Sequence, residues 1–360
     1  MRLALSLGRR GLGRVWPNPS VGCVLVREGR IVGRGVTAPG GRPHGEVVAL
    51  AQAGEAARGA TAYVTLEPCA HHGKSPPCAD ALVAAGVARV VVAMGDPNPL
   101  VAGRGIARLR AAGITVDVGL LEAAARLDHA GFLRLQQDGR PMLSLKLASS
   151  FDGRIATPGG ESRWITGPEA RRLVHLQRAR HDGVLIGAGT ARADDPMLDV
   201  RGLGIAHQPV RVVATRKLDL PQDGRLARSA RQQPLWLLHG PGASPERIEA
   251  WRGLGARLFS LPEMAGGGGL DVTAALQALG SAGLSRVYCE GGGALAASLL
   301  RAGLVDRLIG FTAGLVLGAD GRAALGALGL EKLAAAPRFE LLESRAVGGD
   351  VMHVWQIARS

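Results

Sequence analysis

Aromatic side chains are scarce: 360 residues include five Trp, five Phe and two Tyr. Leu, Val, Ile and Ala must therefore fill the cores. A nucleic-acid surface built on stacked rings has little to draw on. Cysteine is scarce too. Cys23, Cys69, Cys78 and Cys289 read as metal ligands or core residues of a reducing compartment, not as a disulfide framework. Lysine is confined to Lys74, Lys146, Lys217 and Lys332, so the net charge of +13 is almost wholly arginine. No run of five or six basic residues forms an arm or tail. No apolar stretch approaches the ~20 residues of a membrane span, and the Leu3–Leu7 run is too short for a signal-peptide core. These absences point to a cytoplasmic chain without a membrane partner. The basic balance itself fits nucleic acid, phosphorylated small molecules or a plain Arg-rich surface.

What is present is a globular composition, 47% hydrophobic, with 53 glycines. The length predicts roughly two domains at about 100–200 residues each. Strands are expected at Val21–Val26 and Ile31–Gly33 around an Arg27–Arg30 turn, then at Thr61–Leu66, Val87–Met94 and Ile114–Val118. Helices are expected at Glu46–Ala57, Ala79–Ala85, Ile106–Ala112 and Leu121–Gln137. The polar Gln136–Pro141 segment reads as a linker. Beyond it strands are expected at Leu143–Ala148, Gly183–Ile186, Pro209–Ala214, Leu235–His239, Ala256–Ser260, Arg286–Glu290 and Arg307–Phe311. Helices are expected at Pro168–Arg180, Pro245–Arg252, Val272–Ala282 and Ala294–Ala302. Phe339–Ser344 and Asp350–Gln356 follow with no helix between them, the pattern of an antiparallel hairpin closing a mostly parallel sheet. The alternation assigns both halves to layered α/β folds, with domains at 1–138 and 142–360.

The chemistry of the first half rests on His44, Glu46, Cys69 and Cys78. His44-Gly45-Glu46 is followed by a strand, Pro68-Cys69 and a second cysteine, the order found in zinc deaminases. A catalytic zinc takes three protein ligands and keeps one position for water. His44, Cys69 and Cys78 supply one nitrogen and two sulfurs, leaving Glu46 to move protons. Cys78 opens a helix, where a thiolate is favoured. His71 or His72 could replace one ligand, and spacing alone does not separate zinc from iron.

Pro17-Asn18-Pro19-Ser20-Val21-Gly22 and the stretch from Thr65 to Asp80, with eight residues between its cysteines, resemble the bifunctional riboflavin-biosynthesis deaminase/reductases. The resemblance implies a cytidine-deaminase-like three-layer α/β/α domain. It also implies hydrolytic deamination of 2,5-diamino-6-(5-phosphoribosylamino)pyrimidin-4-one, with Asn18, His71 and Lys74 on the substrate. A lysine suits the phosphate. Two positions depart from the family: Gly45 stands where H-A-E is usual, and Thr37 stands where many members have His, so no histidine contact is carried over.

The second half has no G-x-G-x-x-G. It does have glycine loops, Gly187-Ala188-Gly189-Thr190 and Gly291-Gly292-Gly293, that either cradle a phosphate or simply turn. Thr215-Arg216-Lys217, ending a strand, either meets a 2′-phosphate or is a solvated turn. Lys146–Ala156, Gly160–Thr166 and Gly189–Pro196 resemble the family's reductase domain, which is similar to dihydrofolate reductase. That resemblance implies NADPH at Ala148, Trp164, Thr190, Asp194, Thr215 and the run Gly292, Gly293, Ala294, Leu295, Ala296, Ala297 and Ser298. It places the sugar phosphate at Ser162, Arg178, Leu198, Arg201 and Glu290. Lys146 is the candidate to protonate an opened imine, or else a member of a structural salt bridge. The competing reading is a tRNA-type deaminase with a C-terminal nucleic-acid-binding module. Homo-oligomerisation is left open.

Overall fold

The structure, a computed structural model, describes residues 1–71, 76–98, 101–264 and 268–358. It divides into two compact units, Met1–Arg140 with Gly283–Ser285, and Pro141–Ala282 with Arg286–Ser360. No helix among the described residues is long and apolar enough to cross a membrane.

The first unit is built on a sheet ordered β2-β1-β3-β4-β5, from β1 (Gly22–Arg27), β2 (Arg30–Val36), β3 (Thr61–Val64), β4 (Arg89–Val92) and β5 (Thr115–Val118). β1 and β2 form a hairpin in which Arg27 faces Arg30 across Glu28 and Gly29, both at positive φ. That is the two-residue turn whose twist matches the strands. α1 (Arg2–Gly11) covers one face, where Ala4 and Leu7 pack on Val24, and it meets α5 (Glu122–Asp128). The short apolar run at the start of the chain is thus the buried stripe of a helix that composition alone does not announce. α2 (Gly45–Ala53), α3 (Cys78–Ala84) and α4 (Arg104–Ala111) cover the other face, giving three layers. α2 lies directly on β2, because a Cβ at Gly33 or Gly35 would overlap the helix backbone at Ala49 or Gly45.

Two expected helices are interrupted. The Glu46–Ala57 helix ends at Ala53, where Gly54 takes φ +53 and the chain continues as a 3-10 turn. The Leu121–Gln137 helix is split into α5 and α6 (Ala130–Asp138) at His129. The break turns His129 inward, where it is buried with Nε2 3.2 Å from the Thr65 hydroxyl. A helical period cannot signal an inward histidine of this kind.

The second unit contains β6 (Met142–Ser150), β7 (Arg154–Ala156), α7 (Pro168–Ala179), β8 (Gly183–Gly187), α8 (Ala188–Asp194), β9 (Val210–Ala214), α9 (Arg225–Arg228), β10 (Leu235–His239), α10 (Pro245–Gly253) and β11 (Arg257–Ser260). It continues through α11 (Val272–Ser281), β12 (Arg286–Cys289), α12 (Gly293–Arg301), β13 (Arg307–Ala313), β14 (Arg322–Ala323), β15 (Phe339–Val347) and β16 (Asp350–Ile357). Its main sheet runs β11-β10-β9-β8-β12-β6-β13-β16-β15. Strands β11 to β13 of that order are parallel, and β16 and β15 add the expected antiparallel hairpin. The central strands are apolar runs such as Leu143 to Leu145 and Val184 to Ile186, interrupted by few polar residues, as strands buried on both faces require. Each fully buried aliphatic side chain contributes about 1.5–3 kcal/mol. The order of strands reverses around β8, β12 and β6, the kind of switch point beside which open α/β sheets commonly bind ligands.

Candidate active sites

His44 sits at the N-cap of α2, Cys69 just past β3, and Cys78 on the first turn of α3. Their ligand atoms all lie within 4.8 Å of one another. His44 Nδ1 is 3.3 Å from Cys78 Sγ and 3.6 Å from Cys69 Sγ. Zinc–sulfur bonds of about 2.3 Å and zinc–nitrogen bonds of about 2.05 Å at tetrahedral angles place N and S roughly 3.6 Å apart. The three side chains therefore fit a zinc ion as they stand. Of the proposed ligand set, none needs replacement by His71, which is exposed and outside the cluster. His72 and Lys74 lie outside the described residues.

Glu46, on the first turn of α2 beside Cys78, is 3% exposed, and its Oε2 has no hydrogen-bond partner. Burial pushes its carboxyl up to about 7, in the range where a group both accepts and gives up protons at neutral pH. The two cysteines divide differently from expectation. The Cys69 thiol is drawn down to about 4, first by its hydrogen bond with Cys78, and Cys78 is pushed up by the same bond and by burial. A smaller contribution to the lowering of Cys69 comes from the backbone. The Cys78 N–H, at the start of α3, donates to Cys69 Sγ at 3.2 Å. The helix terminus thus serves the other cysteine.

The two family departures have structural explanations. Thr37 is buried, and its hydroxyl accepts from the Val21 N–H at 2.9 Å and donates to the Pro19 carbonyl at 3.1 Å. It ties the Pro17–Gly22 segment in place. Asn18 in that segment donates to the Gly41 carbonyl at 2.7 Å. Gly45 is enforced by crowding, because a Cβ there would stand 2.5 Å from the Val21 carbonyl oxygen. Helix propensity alone predicts that Gly45→Ala stabilises by up to about 1 kcal/mol. The structure predicts the opposite sign: a melting temperature lowered by several degrees, measured by calorimetry, with reduced zinc content as α2 shifts.

In the second unit, Lys146 lies on β6, and Glu290 follows the end of β12. Arg178 from α7 grips Glu290 through two bonds, Nε to Oε1 at 2.5 Å and Nη2 to Oε2 at 2.9 Å. Its Nη1 donates to the Asp199 carbonyl at 2.9 Å. Lys146 is half-buried and faces Glu290, Arg178 and Asp194, yet no ion pair to it forms among the described residues. Burial lowers its pKa. The ammonium thus faces these charged groups without an ion pair among the described residues.

The remaining residues singled out from sequence differ in exposure and in the partners they hold. The expected glycine loop at 187–190 is the start of α8, with Gly187 as its N-cap. Thr190 on α8 accepts the Gly292 N–H at 3.2 Å, so two loop regions expected to contact one cofactor are tied together. Gly293, Ala294 and Leu295 form the first turn of α12, but Ala296 and Ala297 point into the core, and the Ser298 hydroxyl donates to the Ala294 carbonyl. Thr215 is buried, with its hydroxyl on Asp219 at 3.2 Å. Leu198 is buried in an apolar cluster. Ala148 is half-buried, and Ser162, Asp194 and Arg201 are exposed, Arg201 paired with Asp199 at 2.7 Å. Trp164 is exposed beneath the Arg171 guanidinium, 4.4 Å from its ring centroid. Asp199 and Asp219, which orient Arg178 and Thr215, have no role that sequence alone suggests. Neither stands out as a motif.

Comparison with known proteins places these sites in context. Residues 1–94 match the family model of the cytidine and deoxycytidylate deaminase zinc-binding region, and residues 141–353 match that of the RibD C-terminal domain. The riboflavin biosynthesis protein RibD of Escherichia coli is 46% identical, over 98% of this chain and 96% of that protein. A solved structure of Acinetobacter baumannii RibD is 40% identical, with a TM-score of 0.88 over 99% of this chain and 98% of that one. A diaminohydroxyphosphoribosylaminopyrimidine deaminase/5-amino-6-(5-phosphoribosylamino)uracil reductase from Thermotoga maritima is 32% identical, with a TM-score of 0.85 over 99% of this chain and 97% of that one.

Proposed function

Because the chain belongs to the RibD family, we propose that its first unit deaminates a phosphoribosylated pyrimidine and its second reduces the sugar with NADPH. The enzyme is a bifunctional deaminase and reductase of riboflavin biosynthesis. The substrate assigned to it is 2,5-diamino-6-(5-phosphoribosylamino)pyrimidin-4-one, acted on in the cytoplasm, with residues 1–138 and 142–360 as the two catalytic domains. The observation that carries the deaminase half is the His44, Cys69 and Cys78 cluster beside the buried Glu46.

His44, Cys69 and Cys78 hold zinc. When bound, zinc lowers the pKa of a coordinated water from 15.7 to about 7. Glu46 accepts a proton from the attacking water and delivers it to the ring nitrogen, then passes the proton of the newly added hydroxyl to the departing amine. The C–N bond breaks, a carbonyl replaces it and ammonia leaves. Asn18 keeps one amide oxygen beyond its bond to Gly41, and it is assigned to the pyrimidine.

For the second half, NADPH supplies the hydride when bound. Lys146 supplies the proton to the nitrogen of the ring-opened imine as C1′ becomes CH₂. A lowered pKa suits an ammonium for that donation. Arg178 fixes Glu290 and the Asp199 carbonyl with three of its five N–H donors, and the remaining two are assigned to the sugar phosphate together with Arg201. Glu290 then faces Lys146 with its carboxylate fixed.

Purified enzyme given the phosphoribosylated diaminopyrimidinone and NADPH should release one ammonia and oxidise one NADPH per substrate. NADPH oxidation without ammonia release, or ammonia without oxidation, contradicts the proposal. The nucleic-acid alternative is not favoured by the family match.

A further inference from the structure

The chain reaches Cys69 through Thr65-Leu66-Glu67-Pro68, and Glu67 is a buried carboxylate, 4% exposed, with no part in the proton chemistry. Its backbone N–H donates to the Met94 carbonyl at 3.0 Å, continuing the edge of β4. Its side chain accepts four backbone N–H groups. Asp96 and Gly103 donate to Oε2 at 3.2 and 3.1 Å, and Gly105 and Ile106 donate to Oε1 at 3.0 and 3.2 Å. The last three belong to the N-terminus of α4, which has no side-chain cap of its own because Gly103 is its N-cap. Glu67 thus supplies from a distance what an N-cap residue ordinarily supplies locally, and its negative charge complements the helix dipole.

The same helix grips both cysteine-bearing segments. A Cβ at Gly105 would overlap the Pro68 carbonyl oxygen, so the first turn of α4 rests against the peptide preceding Cys69. One turn on, Arg108 donates to the Ala70 carbonyl at 3.4 Å and pairs through Nε with Asp80. Asp80 lies on α3, two residues beyond Cys78. The turn carrying Cys69 is therefore held on both sides of the cysteine, and the helix carrying Cys78 is held by the same arginine.

We propose that Glu67 is a positioning residue that fixes Cys69 relative to Cys78 by clamping α4, and so sets how tightly the site retains its metal. This rests on the zinc reading of the site. Groups that orient metal ligands without touching the metal typically change affinity by about 10–100-fold when replaced.

The test uses the full, zinc-loaded chain challenged with excess chelator, zinc release being followed by a chromogenic indicator. Glu67→Gln places an amide NH₂ against two of the four donors and should release zinc at least about tenfold faster. Arg108→Ala keeps the clamp but loses the Ala70 and Asp80 links, and should release zinc a few-fold faster. Leu109→Ala is the control, because Leu109 is a core residue on the same helix and its loss keeps all four donors to Glu67. It should lower the melting temperature while leaving the release rate within about twofold of the parent. Release from Glu67→Gln at the parental rate overturns the proposal, as does equally fast release from Leu109→Ala. Should Glu67→Gln not fold, Arg108→Ala decides, and a parental rate there counts against the brace. A parent chain that binds no zinc fails the underlying reading, and the inference fails with it.

Discussion

Glu46→Gln should reduce ammonia release by about 10²–10⁴-fold, the range expected for losing a general acid–base group. It should leave NADPH oxidation on the deaminated intermediate unchanged. The expectation follows from placement. Glu46 is not among the three ligands, so the glutamine variant keeps the metal cluster intact. Its carboxyl is buried and raised to about 7, and Oε2 has no partner whose loss would disturb the fold. Elemental analysis should find parental zinc in the variant. Loss of zinc along with activity would make Glu46 a structural residue, and retained activity would remove it from the mechanism.

The second large effect is expected at Arg178. Arg178→Met should destabilise the reductase unit by about 3–5 kcal/mol, the usual consequence of leaving one partner of a buried pair uncompensated. The side chains of Arg178 and Glu290 are 12% and 10% exposed, so water gives little relief. The pH dependence has a definite sign. Arg178 holds the Glu290 carboxyl below its ordinary range. The pair's contribution is therefore complete above the unfolded glutamate value of about 4.3 and is lost as pH falls through the depressed folded value. Denaturant titrations followed by tryptophan fluorescence should show a wide gap between parent and variant at pH 7 that narrows in acid. Ammonia release by the first unit should be spared. A gap independent of pH would mean that packing, not charge, carries the effect.

Much of the first site is legible in the chain because zinc restricts its ligands to few residue types in a fixed order. His44, Cys69 and Cys78 can be named before any fold is known, and a carboxylate two residues from His44 has one obvious use. The surroundings are less legible. Glu67 spends its charge on backbone N–H groups of residues 96–106, and a backbone donor leaves no mark in sequence. Gly45 looks like a weak helix residue until Val21 is seen pressed against it. In the second unit the strand pattern and closing hairpin follow from apolar runs and turn residues. The side-chain directions do not. The Thr215 hydroxyl ends on Asp219, and Arg178 ends on Glu290, 112 positions away. Residue type marks both as polar, but the partners that orient them are brought up only by the tertiary fold.

On the proposed reading one chain carries two separable chemistries, of which only the first needs the His44, Cys69 and Cys78 metal. The most direct measurement is a single sample assayed for ammonia release and for NADPH oxidation on the deaminated intermediate, before and after a strong chelator. Chelation should abolish ammonia release, added zinc should restore it, and NADPH oxidation should be unchanged throughout. Ammonia release that survives complete removal of metal, or both activities falling together, would contradict that reading.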